Sequence, residues 1–313
     1  MSEDNQRFCG GNETIPPQIL DQVPNVTIHG PPAVAFYNGK IYLAYAPEGD
    51  QFLGQIWTTN FDGTNWSQPF QLLFPSNTFN PALGVYQGVL YCAADNGDQA
   101  WHMTFDGAIW APAKAIPNSP QISTNPSLAA NSETLYVAYQ KDQSNDVWYQ
   151  TFDGINWSQP APTPAEAAVQ GASGAVGLAA DPDGNVYLAY QSVDSNSIPT
   201  GQLWYTTLNG KNWSPPAQVP SVSIFAEPAL TFYNGTLYCL HLRSSVNNAQ
   251  NLSYLTFDGE SWSGDTPLTE SPMSLQSPAI APVLANFANR GPGLYFFVTT
   301  TVFNVFYFYR APS

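Results

Sequence analysis

The chain repeats one pattern six times, and a repeat with a period near fifty residues decides the fold before any other feature does. An apolar residue, then Tyr, then mostly apolar residues recur as IYLAY at Tyr42, LYCAA at Tyr91, LYVAY at Tyr136, VYLAY at Tyr187, LYCLH at Tyr238 and LYFFV at Tyr295. In five copies a second phrase follows: IWTTNFDGTNWS from Ile56, AWHMTFDGAIWA from Ala100, VWYQTFDGINWS from Val147, LWYTTLNGKNWS from Leu203 and LSYLTFDGESWS from Leu252. A third phrase precedes the Tyr run, as PAVAF from Pro32, PALGV from Pro81, PSLAA from Pro126, PALTF from Pro228 and PAIAP from Pro278, with AVGLA from Ala175 in copy four.

Each copy is a series of short β-rich runs divided by turn chemistry. Asn-Gly at Asn38 and Asn234 and Asp-Gly at Asp183 mark hairpins between the first and second runs. Asp-Gly or Asn-Gly closes the third run at Asp62, Asp106, Asp153, Asn209 and Asp258. No twelve-residue window carries a helical period. Four antiparallel strands per unit, six times over, predict an all-β protein that is a six-bladed β-propeller. The last copy has only three runs, and the N-terminal segment resembles the missing fourth. Residues 14–20 are therefore the expected outer strand of the last blade. The reading is one domain, 1–313, with blades at 31–79, 80–124, 125–173, 174–226, 227–276 and 277–313 plus 14–20.

Composition agrees with a buried core, at 43% hydrophobic, 14% aromatic and only 10% charged residues. A net charge of −15 excludes nucleic acid, whose phosphates demand clustered Lys and Arg, and an anionic membrane surface. No run reaches the length of a membrane-spanning helix. The first ten residues, MSEDNQRFCG, are polar and acidic, unlike a secretory signal peptide. The expectation is a soluble, cytoplasmic protein, or one exported by a route not visible in the sequence. Cys9, Cys92 and Cys239 make no disulfide framework. Cys92 and Cys239 hold one position in two copies and read as small buried hydrophobes.

The turn phrase resembles the Asp-box of sialidase-like repeat proteins, although Thr151-Phe-Asp153-Gly154-Ile-Asn-Trp157 lacks the residue between Asp and Gly. It is equally similar to the repeats of bacterial and fungal propeller lectins, which set a polar residue before a Leu-Trp pair. This chain has Gln55, Gln99, Asp146, Gln202, Asn251 and, in the last blade, Asn304 at that place. Asp and Gly serve the turn mechanically, and Trp66, Trp110, Trp157, Trp213 and Trp262 are expected to pack between hairpins. The sequons at Asn65, Asn156 and Asn212 lie inside this turn, which accounts for them without glycosylation.

Catalysis finds little support. The resemblance to sialidases implies three arginines around a carboxylate, a Tyr–Glu pair and an Asp acid, but the chain contains only Arg7, Arg243, Arg290 and Arg310. Asn80, Asn125 and Glu227 precede Pro81, Pro126 and Pro228 at the head of three inner strands, near one mouth of the central channel. Six-bladed lactonases are similar there and hold a divalent cation; Ca²⁺ is the ion these oxygens suit. Gly30, Gly174 and Ser277 stand in the other blades, so the expected cofactor set is none, with Ca²⁺ in the channel as the exception to test. His102 and His241 replace residues such as Tyr149 and Tyr45 on strands and read as hydrogen-bonded histidines between blades.

The loops between second and third strands are dense in Asp, Asn, Gln and Ser, and lead into Trp57, Trp101, Trp148 and Trp204; Ser253 breaks the series. Amides and carboxylates bond sugar hydroxyls while an aromatic face covers the C–H side of the ring. The expected function is a non-catalytic lectin with repeated sites between blades, built from Gln55–Trp57, Gln99–Trp101, Asp146–Trp148, Gln202–Trp204 and Asn251, with Asn80, Asn125 and Glu227 as further candidates. Its partners would be glycans or glycoconjugates. The recurrent Arg of Aleuria-type fucose lectins is absent, so that preference does not transfer. The alternatives are a protein-interaction scaffold and a metal-dependent lactonase- or glycosidase-like propeller. Sugar identity, the number of working sites and oligomeric state are not legible.

Overall fold

A computed structural model describes residues 18–165, 174–243, 252–268, 276–284, 286–300 and 304–310. Strand β1 (Gln18–Tyr37) is followed by β2 (Lys40–Pro47), β3 (Ile56–Phe61) and β4 (Phe70–Leu72), each antiparallel to the one before it in space. Four further sheets repeat this order, starting at Phe79–Tyr86, Ser127–Ala130, Gly177–Ala180 and Ala229–Tyr233. The last unit is Ala279–Val283, Gly293–Thr299 and Asn304–Arg310, and the early part of β1 pairs with its third strand. The seven-stranded sheet is thus two blades joined through β1, and the fold is the six-bladed propeller that the repeats predict. No helix among the described residues is long and apolar enough to cross a membrane.

The closing strand reaches further than the expected 14–20: Gln18 and Ile19 pair with the last strand, and the pairing continues past them. Residues 14–17 are outside the described residues, and the pairing runs from Gln18 opposite Tyr309 to Thr27 opposite Asn304. Between Gln22 and Thr27 the register slips, and Asn25 takes φ 57°. A slip of this kind inserts residues that repeat alignment has no means of placing.

Side chains alternate across a strand, and here both faces of each inner blade are covered, so the second strands are apolar throughout rather than every other residue. Ile41, Leu43 and Tyr45 pack toward the last blade, while Tyr42, Ala44 and Ala46 pack toward the second. Six buried clusters result, each drawn from two neighbouring blades. Cys92 and Cys239 are fully buried free thiols within two of them, and burial pushes both thiols far up.

The turn tryptophans tie the outer ends of these seams. Trp157 lies 5.5 Å from His102, Trp213 5.4 Å from Tyr149 and Trp262 5.3 Å from Tyr205, each an edge contact across a blade boundary. The turn itself is held by its Asp: Asp153 Oδ1 accepts the backbone N–H of Ile155 at 2.8 Å and of Asn156 at 2.7 Å. Asp62, Asp106 and Asp258 accept the same pair of bonds, while the following glycine sits at φ near 100°, as at Gly107 with 102°. These backbone donors hold all four carboxyls below the ordinary aspartate value.

A carboxylate whose folded pKa is lowered stabilises above the unfolded value and ceases to do so as pH falls through the folded one. The melting temperature should therefore fall as pH descends below 3.8. The Asp62→Asn, Asp106→Asn, Asp153→Asn, Asp258→Asn quadruple variant keeps an acceptor without the charge. Its melting curve against pH should be shallower over that interval, as followed by circular dichroism.

Candidate functional site

The polar–aromatic pairs of the third strands fall into two kinds. Trp57 Nε1 donates to Gln55 Oε1 at 3.0 Å, and Trp204 Nε1 donates to Gln202 Oε1 at 3.3 Å. Trp101 and Trp148 instead have buried, unpartnered indole nitrogens. Gln99 is turned into a tight loop in which its backbone N–H meets Asn96 Oδ1 at 3.1 Å, and Lys141 Nζ sits 5.3 Å from the Trp148 ring centre. Asp146 does not reach the Trp148 indole. Asn251 lies outside the described residues, and its neighbour Ser253 is fully buried.

Between the last and first blades the Gln55–Trp57 pair opens onto a cavity of 240 Å³ lined by Asn25, Thr27, Tyr45, Pro47, Glu48, Phe52, Trp57 and Pro69. Three different elements deliver these groups. The β1 slip brings in Asn25 and Thr27. The end of β2 supplies Tyr45 and Pro47, and Glu48 N–H donates to Thr27 O at 3.0 Å, fastening this loop to β1. A short 3₁₀ turn, Asp50–Phe52, sets the Phe52 ring edge-on to Trp57 at 5.7 Å. Burial raises the Tyr45 phenol well above its usual value, so it remains an O–H. Glu48 Oε2 is buried without a hydrogen-bond partner; His29 Nδ1 is 3.4 Å away without hydrogen-bond geometry, and pairs with it ionically only when protonated. Glu48, Phe52, Asn25, Thr27 and Tyr45 were not among the sequence candidates. The one available signal is the long insertion PEGDQFLGQ before Trp57.

The central channel is a second cavity, of 470 Å³, lined mainly by Ala, Val, Leu and Pro of the inner strands. Asn125 and Glu227 line it, but Asn80 does not. With φ 58°, Asn80 turns away and donates Nδ2–H to Asp95 Oδ2 at 3.0 Å. Asp95 is buried, which raises its pKa, and it uses Asn80 and the Gly97 N–H as donors. Ser277 Oγ donates to the Glu227 carboxylate. A Cβ at Gly174 would come within 2.6 Å of Glu227 Oε1, so glycine there makes the space the carboxylate occupies. One carboxylate, one amide and one hydroxyl are three of the six to eight oxygens that Ca²⁺ takes, the others being left to backbone carbonyls and water.

The two strand histidines differ. His241 is fully buried with Nε2 3.1 Å from Asp265 Oδ1, and Arg243 Nε approaches Asp265 Oδ2 at the same distance. Its Nδ1 has no partner. His102 stacks on Tyr91 and meets Trp157 edge-on, and its Nδ1 is likewise buried and unpartnered, contrary to the expectation of a satisfied ring. It substitutes for an aromatic residue in the seam, not for a donor. Burial, with Lys114 alongside, lowers its pKa to about 4.

No protein-family model and no curated protein sequence matches this chain. Solved structures do. A fungal lectin from Aleuria aurantia, described as a six-bladed β-propeller with a fucose recognition mode, is 11% identical with a TM-score of 0.63, covering 93% of this chain and 92% of its own. A protein of unknown function from Dyadobacter fermentans gives 12% identity and a TM-score of 0.67 over 93% and 99%. NanB sialidase from Streptococcus pneumoniae gives 12% and 0.64 over 94% of this chain and 70% of that one. At these identities the likeness establishes the fold.

Because the folded pKa of His102 lies below the unfolded one, its neutral form stabilises above the ordinary value of 6.5, and that contribution is lost as pH falls toward 4. A His102→Phe variant should remove this part of the acid sensitivity, and the His102 imidazole signals of the native protein should titrate near 4 by NMR.

Proposed function

We propose that this chain is a non-catalytic carbohydrate-binding protein whose principal sugar site is the cleft between the last and first blades, carried on a single domain. The observation that supports it is the cavity in which Tyr45, Phe52 and Trp57 meet Asn25, Thr27 and Glu48. Its volume of 240 Å³ is below the roughly 300–1,000 Å³ of drug-sized sites and suits one sugar ring. The Gln55 bond fixes the indole, so the ring is oriented before any ligand arrives. A second, related site is proposed between the third and fourth blades, where Trp204 makes the matching bond to Gln202. Trp101 and Trp148 serve chiefly as packing. The lectin with fucose recognition among the similar structures supports this reading of the fold's use.

Glycoside hydrolysis uses two facing carboxyl groups. One carboxylate lines the cleft and one lines the channel, so neither cavity offers the pair. No Arg lines either cavity, so the arginines that the sialidase resemblance implies are gathered in neither, and that likeness is taken as one of architecture.

The test is a glycan array with the labelled protein beside Trp57→Ala. Binding to a related set of glycans, reduced at least about tenfold by the substitution, is the expected outcome, an aromatic–ring contact being worth about 0.5–1.5 kcal/mol before lost area is added. A blank array with folded protein would refute the reading.

A further inference from the structure

The cleft between the last and first blades has a chemical bias that a site for neutral sugars does not need. Its three aromatic rings, Tyr45, Phe52 and Trp57, surround space that also meets Glu48, and no Lys or Arg is among the residues lining it. One oxygen of Glu48, Oε2, is buried and accepts no hydrogen bond, while the side chain as a whole is 37% exposed and Oε2 lies 3.4 Å from His29 Nδ1. An acceptor in that condition carries a desolvation cost that a bound donor would relieve. The nearest basic group is His29, which is well exposed and charged only when protonated.

Aromatic faces present negative charge to a cation, and rings grouped around a carboxylate form the arrangement that recognises ammonium groups. The chain as a whole adds a net charge of −15, which draws cations and repels acidic sugars. A neutral sugar would leave the carboxylate bonded to a hydroxyl at best, and an acidic one would be opposed. An ammonium on the sugar ring satisfies Glu48 and the aromatic faces together.

We propose, building on the carbohydrate reading of this cleft, that its ligand is an amino sugar with a free ammonium group, held by Glu48 within the Tyr45–Phe52–Trp57 rings. The same ammonium chemistry is available from a choline head group, which the test separates. Titration calorimetry of the full chain would use three probes: a β-1,4-linked glucosamine tetramer, its fully N-acetylated counterpart, and choline. The expected result is binding of the free amine at least tenfold tighter than the acetylated form, weakened by added salt. Glu48→Gln should lower affinity for the free amine about tenfold and narrow the gap between the two tetramers. Equal binding of both tetramers would overturn the ammonium proposal and leave the carbohydrate reading standing. Binding of choline without either tetramer, or of no probe by folded protein, would overturn the amino-sugar proposal, while the carbohydrate reading falls only with a blank glycan array. The native protein's comparison of the two tetramers decides the question even if the variant fails to fold.

Discussion

The structure depends on a single strand that belongs to two blades. Every other blade completes itself from consecutive segments, but the last has three strands of its own and takes its fourth from the early part of β1. A few residues later the same strand is the inner strand of the first blade, paired from Ala33 to Tyr37 with β2. A ring of units, each burying both faces against its neighbours, gains its last buried interface only when this strand is in place. The cluster that forms there, with Val23, Val26 and Ile28 against Tyr295, Phe297 and Tyr307, is as well buried as any of the other five.

The repeat supplies equivalent positions, and the structure shows how differently they are spent. The place held by Tyr45, Tyr139 and Tyr190 on the second strand is His241 in the fifth blade, with Asp265 and Arg243 around it. The Trp57 place is Ser253 in that blade, and both replacements are fully buried. One seam has thus exchanged an aromatic pair for a polar network. Another, at the closure, has kept the pair and opened it. Stability asks that each seam be filled, and it tolerates unbonded atoms such as His102 Nδ1 and Ser253 Oγ. That leaves individual seams free to diverge.

Most of the architecture is legible because it rests on periodic signals. Apolar runs, Asn-Gly and Asp-Gly turns and the turn tryptophans recur with the blades, so their roles follow from register. What failed to be legible was aperiodic. The closing strand was expected at residues 14–20, and its pairing runs on to Thr27 because repeat alignment has no means of allowing for the slip at Asn25. Asn80 and Asn125 occupy the same place in the repeat, yet a left-handed backbone and the buried carboxylate of Asp95 take Asn80 out of the channel. Gln55 and Trp57 were visible in the pattern. Glu48 and Phe52, which complete the cleft, sit in a loop whose counterparts in the other blades differ in length and sequence.

The slip at Asn25 also gives the cleft a mechanical character. Asn25 and Thr27 wall the cavity, and Thr27 is at the same time the last residue of β1 paired to the final strand. Pulling on the N-terminal end would strip that pairing residue by residue and arrive at the cavity wall as the ring opens. Release of a molecule seated there and opening of the ring would be one event. A ligand present at 100 times its dissociation constant would oppose that event by about 2.7 kcal/mol, acting as a removable rivet at the joint of the ring.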